Sequence, residues 1–185
     1  MSQSTPVASV ATQSSDARTI DTAAFMAILN KRITLKPANA GEQHTLTIQG
    51  TPQFLAKGYQ YPGPTGMTEN QFDRTIYNVR ANSALKMADP ANRLILADAI
   101  KAESAGDMDT ATELFNKYLN AVQLSFSVIE RPGTVKFVRG NQVIATVELV
   151  DTKSGAKALV LNDVSLKPAI VAAPTKFDLS DLIDL

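Results

Sequence analysis

At 185 residues, with 44% hydrophobic and 19% charged side chains, the chain has the composition of an ordinary globular protein and enough apolar material for one sizeable core. It has no cysteine, which excludes a disulfide scaffold, thiolate zinc sites and a cysteine nucleophile. Its 18 basic and 18 acidic residues cancel, so the chain as a whole is not steered toward a polyanion.

Residues 1–20 are rich in Ser, Thr, Ala and Gln. They hold too few large apolar groups to offset the entropy of ordering, and they read as a disordered arm. The stretch lacks the basic start and apolar middle of a signal peptide, and no run reaches the ~18 apolar residues of a membrane span. The expected location is therefore the cytoplasm, that of the host if the chain is phage-encoded, with no membrane partner.

Asp21 is placed to cap a helix through Arg32, with Phe25, Ile28 and Leu29 on one face. RITLKPA and HTLTIQG then alternate as strands, with turn chemistry at Pro37 to Gly41, and QFLA is a further short strand. KGYQYPGPTG, with three Gly and two Pro, reads as an irregular loop. In TENQFDRTIYNVRANSALKM, Phe72, Ile76 and Val79 fit a helix while TIYNVRA alternates like a strand, so periodicity leaves both open. Asp89-Pro90 opens a helix that stops at Gly106. A second helix from Asp107 carries Ala111, Phe115, Tyr118, Leu119 and Val122 at helical spacing, completing a helical hairpin. AVQLSFSVIE is a strand, TVKFVR and QVIATVELV flank a hairpin signal at Gly140-Asn141, and ALVL ends a β-meander. Residues 167–176 read as a linker before the acidic, apolar end FDLSDLIDL.

No phosphate-binding loop, dinucleotide fingerprint, nucleophile elbow or metal-ligand cluster is present, and no cofactor or metal is expected. His44, the one histidine, sits in an alternating strand and reads as structural. Asp107 and Asp109 lie at a helix start, where acids complement the dipole. The chain is expected to be no enzyme.

Local charge is more informative. Residues 31–88 hold seven basic and three acidic side chains, residues 121–177 seven and four, and residues 89–120 three and six. The strand-forming parts are thus positive, and a polyanion responds to local potential screened over ~8 Å at physiological salt. Aromatic residues are interleaved with the basic ones: Lys57, Tyr59 and Tyr61 in the glycine-proline loop, Arg74, Tyr77 and Arg80 at spacings of three, and Arg131, Lys136, Phe137 and Arg139 around the hairpin. Phosphate contacts plus base stacking are how single-stranded nucleic acid is held without sequence preference. Phe126 reads as core, Phe137 equally as core or stacking residue, and scattered lysines also serve solubility.

The segment Asp178-Leu179-Ser180-Asp181-Leu182-Ile183-Asp184-Leu185, preceded by Phe177 and a linker, resembles the tails of phage single-stranded-DNA-binding proteins, notably the helix-destabilising proteins of T-even phages. A solvated C-terminal helix is the plainer reading of the same residues. The resemblance implies an oligonucleotide/oligosaccharide-binding (OB) barrel that coats single-stranded DNA during replication or recombination. It also implies a tail, Phe177, Asp178, Leu179, Asp181, Leu182, Ile183, Asp184 and Leu185, that competes with DNA and recruits replication or recombination proteins. The zinc site of the T-even proteins has no counterpart here, so the likeness stops at the tail. The expected fold is α+β, mostly β: an OB-like five-stranded barrel or curved sheet over residues 21–166 with a helical insertion at about 68–119. Homo-oligomers are compatible with this reading. A phage virion or assembly protein is the alternative, and an adaptor read through its LIDL end a third.

Overall fold

The structure, a computed structural model, describes residues 19–63 and 66–168. The expected arm, apart from its last two residues, the linker beyond Pro168 and the acidic segment 177–185 lie outside the described residues. The fold is α+β, and the described chain groups into two compact units, one helical and one built on a sheet.

The helical unit contains α1 (Thr22–Asn30), α3 (Pro90–Ser104) and α4 (Met108–Val122), the last belonging to it through Ala121. Each helix begins on an aspartate that occupies an otherwise unpaired amide: Asp21 accepts from Ala24 N at 2.7 Å, Asp89 from Ala91 N at 2.8 Å and Asp107 from Thr110 N at 3.1 Å. Gly106, at φ 80°, ends α3 in the left-handed conformation that glycine adopts without steric cost. Phe25 of α1 stacks on Phe115 at 4.7 Å and meets Tyr118 edge-on at 5.6 Å. That aromatic cluster ties α1 to α4, and Thr22 reinforces it from α1 by hydrogen bonding to Glu103 of α3.

The sheet unit comprises β1 (Ile33–Leu35), a 3-10 turn (Pro37–Asn39), β2 (Gln43–Leu55), β3 (Gln60–Gly63), β4 (Gly66–Glu69), β5 (Arg74–Ser83), α2 (Ala84–Ala88), β6 (Gln123–Ile129), β7 (Gln142–Asp151) and β8 (Lys157–Leu166). Its six-stranded mixed sheet has β2 at the centre. The second half of β2 pairs antiparallel with β5 and its first half antiparallel with β7. β6 lies antiparallel on β5, β8 antiparallel on β7, and β1 runs parallel beside the last residues of β5. Following the directions round, β6 and β8 are parallel to each other. They are not hydrogen-bonded neighbours, and they flank a cavity of about 430 Å³, so no closed barrel forms.

Alternation along each strand sends one set of side chains inward. Leu46, Ile48, Tyr77, Val79, Leu124, Phe126, Val143, Val147, Leu159 and Leu161 make the core, joined by Phe137. Tyr77, Phe126 and Phe137 contact one another with centroids 5.1–5.4 Å apart. Such aromatic pairs add ~0.5–1.5 kcal/mol each beyond their buried area.

Four expectations are corrected. HTLTIQG and QFLA are one strand, β2, interrupted by a bulge at which Gly50 takes φ 72°. The glycine-proline loop is not irregular: β3 and β4 pair as a small hairpin, which Pro tolerates at a sheet edge. Residues 74–83 are strand and not helix, so the helical insertion starts at Ala84 and not near residue 68. TVKFVR is not a strand, because β7 already has β2 on one edge and β8 on the other, leaving no edge for it to pair with. Gly140 and Asn141 bond the backbone of Ile48 instead, and Phe137 drops into the core. No helix among the described residues is long and apolar enough to cross a membrane.

Candidate nucleic-acid interface

The outer face of β5 is set by its pleat. Thr75, Tyr77, Val79 and Ala81 point inward, so Arg74, Ile76, Asn78 and Arg80 point outward. Across the ladder Arg74 faces Ile129, Ile76 faces Ser127 and Asn78 faces Ser125, giving a mixed basic, polar and apolar surface on β5–β6. Arg74 and Arg80, six residues apart, stand ~20 Å from each other along the strand.

The β3–β4 hairpin rises beside the Arg74 end. Its base is closed by Gly58 N to Asn70 O at 2.8 Å and Asn70 N to Tyr59 O at 2.9 Å. Asn70, almost fully buried, pins it from within: Nδ2 donates to the carbonyls of Leu55, Ala56 and Phe72 at 2.6–3.0 Å. Lys57 N donates to Asp73 Oδ1 at 2.7 Å, fixing the other side of the loop. Tyr59, Tyr61, Asn70, Arg74, Ile76, Gln53 and Leu55 together line a cavity of about 350 Å³.

Tyr59, Tyr61 and Arg74 are therefore brought together, Lys57 is tied through its backbone N to Asp73 beside them, and Arg80 extends the same face of β5. Tyr77 and Phe137 are not part of it. Both are core residues, 2% and 6% exposed, because Tyr77 occupies an inward position of β5 and Phe137 closes the core over it. Lys136 is exposed but ion-paired with Glu130, which also accepts from Thr75 Oγ1. These bonds, that from Lys136 first, hold the Glu130 carboxyl below the usual carboxylate range. Arg131 lines the β6–β8 cavity, and Arg139 sits in the turn bonded to Ile48 on the β7 side of β2. The expected partner-binding residues 177–185 lie outside the described residues.

Two aromatic residues at this end of the sheet escape sequence reading. Phe54 and Phe72 are 59% and 53% exposed, on the two chain segments that lead into and out of the hairpin, and Phe54, paired with inward Thr75, lies on the sheet face opposite Arg74. Phe54 hides in the sequence because the β2 bulge breaks the alternation that would assign it a face, and Phe72 because it fits a helical spacing equally well. Asn70 carries no sequence signal at all: its role follows from its three carbonyl partners. His44 lies on β2 with Nε2 3.2 Å from Glu42 Oε2, and no group of three or more His, Asp or Glu positions suited to a metal occurs among the described residues. Comparison with family models, curated proteins and solved structures finds no match.

Proposed function

We propose that this chain is a non-enzymatic single-stranded-DNA-binding protein that coats the strand without sequence preference during replication or recombination. The observation that carries the reading is the grouping of Tyr59 and Tyr61 with Arg74 around one cavity at the end of the outer β5–β6 surface. Stacking rings beside cations that contact phosphates are the elements such binding requires.

Strand order supports the same reading. Numbered in chain order, β2, β5, β6, β7 and β8 pair as first with second, second with third, first with fourth and fourth with fifth, with third and fifth parallel across the gap. That is the connectivity of a partly open OB barrel, whose second and third strands and first loop form the ligand face. Here those parts are β5, β6 and the β3–β4 hairpin. The acidic segment 177–185, three aspartates and no basic residue after Phe177, competes with DNA for the positive sheet unit and is freed for partner proteins when DNA binds.

The test is fluorescence anisotropy of a labelled oligo-dT across a salt series, with duplex of equal length as control. Single-strand binding that weakens steeply with salt is expected, since each phosphate contact contributes a slope of ~0.7 on the logarithmic plot. Failure to bind below about 10 μM at low salt, where non-specific binding is strongest, would remove the proposal.

A further inference from the structure

The register of three strands gives the outer sheet face a second feature. Asn78 of β5 lies between Gln49 of β2 and Ser125 of β6, and Ile76 lies between Gln53 and Ser127. The pleat turns Asn78 and Ile76 outward, so their ladder partners point outward with them. Neighbouring strands stand ~4.8 Å apart and residues two apart on a strand ~7 Å, so the five polar side chains form one contiguous patch. Gln53, Ser125 and Ser127 are exposed, and Gln49 and Asn78 are half-buried. None of the five side chains hydrogen-bonds to another described residue. A solvated sheet face is polar by default, but charged side chains meet that default as well as neutral ones do. Here both rows are uncharged, and the cations stand at their ends. Arg74 lies one outward position beyond Ile76 and Arg80 one beyond Asn78, and neither is ion-paired among the described residues. Gln53 also lines the cavity of Tyr59, Tyr61 and Arg74, which makes the patch continuous with it. Amides and hydroxyls both donate and accept hydrogen bonds, whereas Lys and Arg only donate. A neutral patch bounded by cations thus fits a ligand whose uncharged polar edges are strung on an anionic chain.

We propose that this patch binds the pairing edges of unpaired bases, with Asn78 at its centre, while Arg74 and Arg80 hold phosphates on either side. The inference rests on the single-stranded-DNA reading and adds to it the surface that distinguishes a single strand from duplex. Every base carries both donors and acceptors on its pairing edge, and side chains that do both accommodate each of them, so no sequence is preferred. In duplex those edges are bonded to one another and closed to the patch.

The experiment compares the full chain with its Asn78→Ala and Ser125→Ala variants on oligo-dT and on the same strand built from N3-methylthymidine. The added methyl blocks the pairing edge and leaves backbone and ring stacking in place. Binding is read by anisotropy across a salt series. Each variant is expected to bind oligo-dT about 2- to 10-fold more weakly than wild type, the scale of one hydrogen bond. Its salt slope should equal that of wild type, because no phosphate contact is lost. On the methylated strand wild type and variants are expected to bind alike. Ser125→Ala, at an exposed strand position, keeps the test decisive if Asn78→Ala disturbs folding. Variants that bind oligo-dT as tightly as wild type overturn the patch and leave the single-stranded-DNA reading standing. A wild-type protein that binds neither strand overturns both. Variants weakened equally on the two strands, or with a lower salt slope, overturn the base contact and assign these residues to the backbone.

Discussion

Tyr59 and Tyr77 carry one side chain into opposite environments, 50% and 2% exposed, and substitution separates the two roles. Tyr59→Ala is expected to weaken oligo-dT binding by ~1–3 kcal/mol, the worth of one base stack. Its urea stability should stay within ~0.5 kcal/mol of wild type, as for other surface changes. Tyr77→Ala should instead cost ~3–5 kcal/mol of stability, because it opens a cavity between Phe126 and Phe137. Unchanged affinity for Tyr59→Ala would remove the hairpin as a stacking platform. The difference between the two tyrosines was only half legible in the sequence. Tyr59 stands in a run of Gly and Pro that offers no core, whereas Arg74, Tyr77 and Arg80 share one face if the segment is helical. As a strand, the same spacing keeps Arg74 and Arg80 together and turns Tyr77 to the other side. Glu130 gives a residue-scale prediction in pH. Lys136 and Thr75 bond its carboxylate and lower its proton affinity, so the cluster's contribution to stability is complete above the unfolded glutamate value of about 4.3 and is lost as pH falls through the lower folded value. In a carbon-13 titration the Glu130 carboxyl should titrate below about 4.3, and titration at or above that value would mean the cluster is not formed in solution.

Among the elements, β2 shows why strand existence was easier to read than strand continuity. Gly50 and Pro52 within two residues of each other signal a break, and locally there is one: the register shifts between Gln49 and Gln53. The strand nevertheless continues, because each half has its own partner, β7 for residues 43–47 and β5 for 48–55. Tertiary pairing overrides the local signal. Nothing lies within 4 Å of where a Gly50 Cβ would stand, so the only obstacle to a side chain there is the backbone at φ 72°. Gly50→Ala should therefore destabilise by ~1–2 kcal/mol, the cost of a left-handed L-residue, seen as a lower urea midpoint with unchanged slope. No loss would mean that the bulge can be straightened. Helices α1, α3 and α4 were legible in outline, since the Asp21, Asp89 and Asp107 caps and the stop at Gly106 are local chemistry, whereas the short α2, without such a cap, was not. TVKFVR was not, because its alternation is satisfied by one inward residue, Phe137, while Val135 and Val138 remain exposed.

At the scale of the whole molecule, net charge conceals a division that the two units make explicit. In the sheet unit the described residues hold twelve basic and seven acidic side chains, and in the helical unit four and seven. The interface proposed for DNA lies on the positive unit, and under that proposal the aspartates at 178, 181 and 184 are the competitor of a phosphate backbone for it. A competitor held by charge must fade with salt, since the screening length falls from ~10 Å at 0.1 M to ~3 Å at 1 M. A chain ending at Lys176 is accordingly expected to bind oligo-dT several-fold more tightly than the full chain at about 0.05 M salt, and the advantage should shrink as salt rises. The salt slope of the shortened chain should also be steeper, because DNA no longer displaces an internal anion and screening acts on the phosphate contacts alone. Equal affinities for both chains across the series would confine the acidic segment to partner recognition, and a shortened chain that binds more weakly would make the segment part of the DNA-binding form.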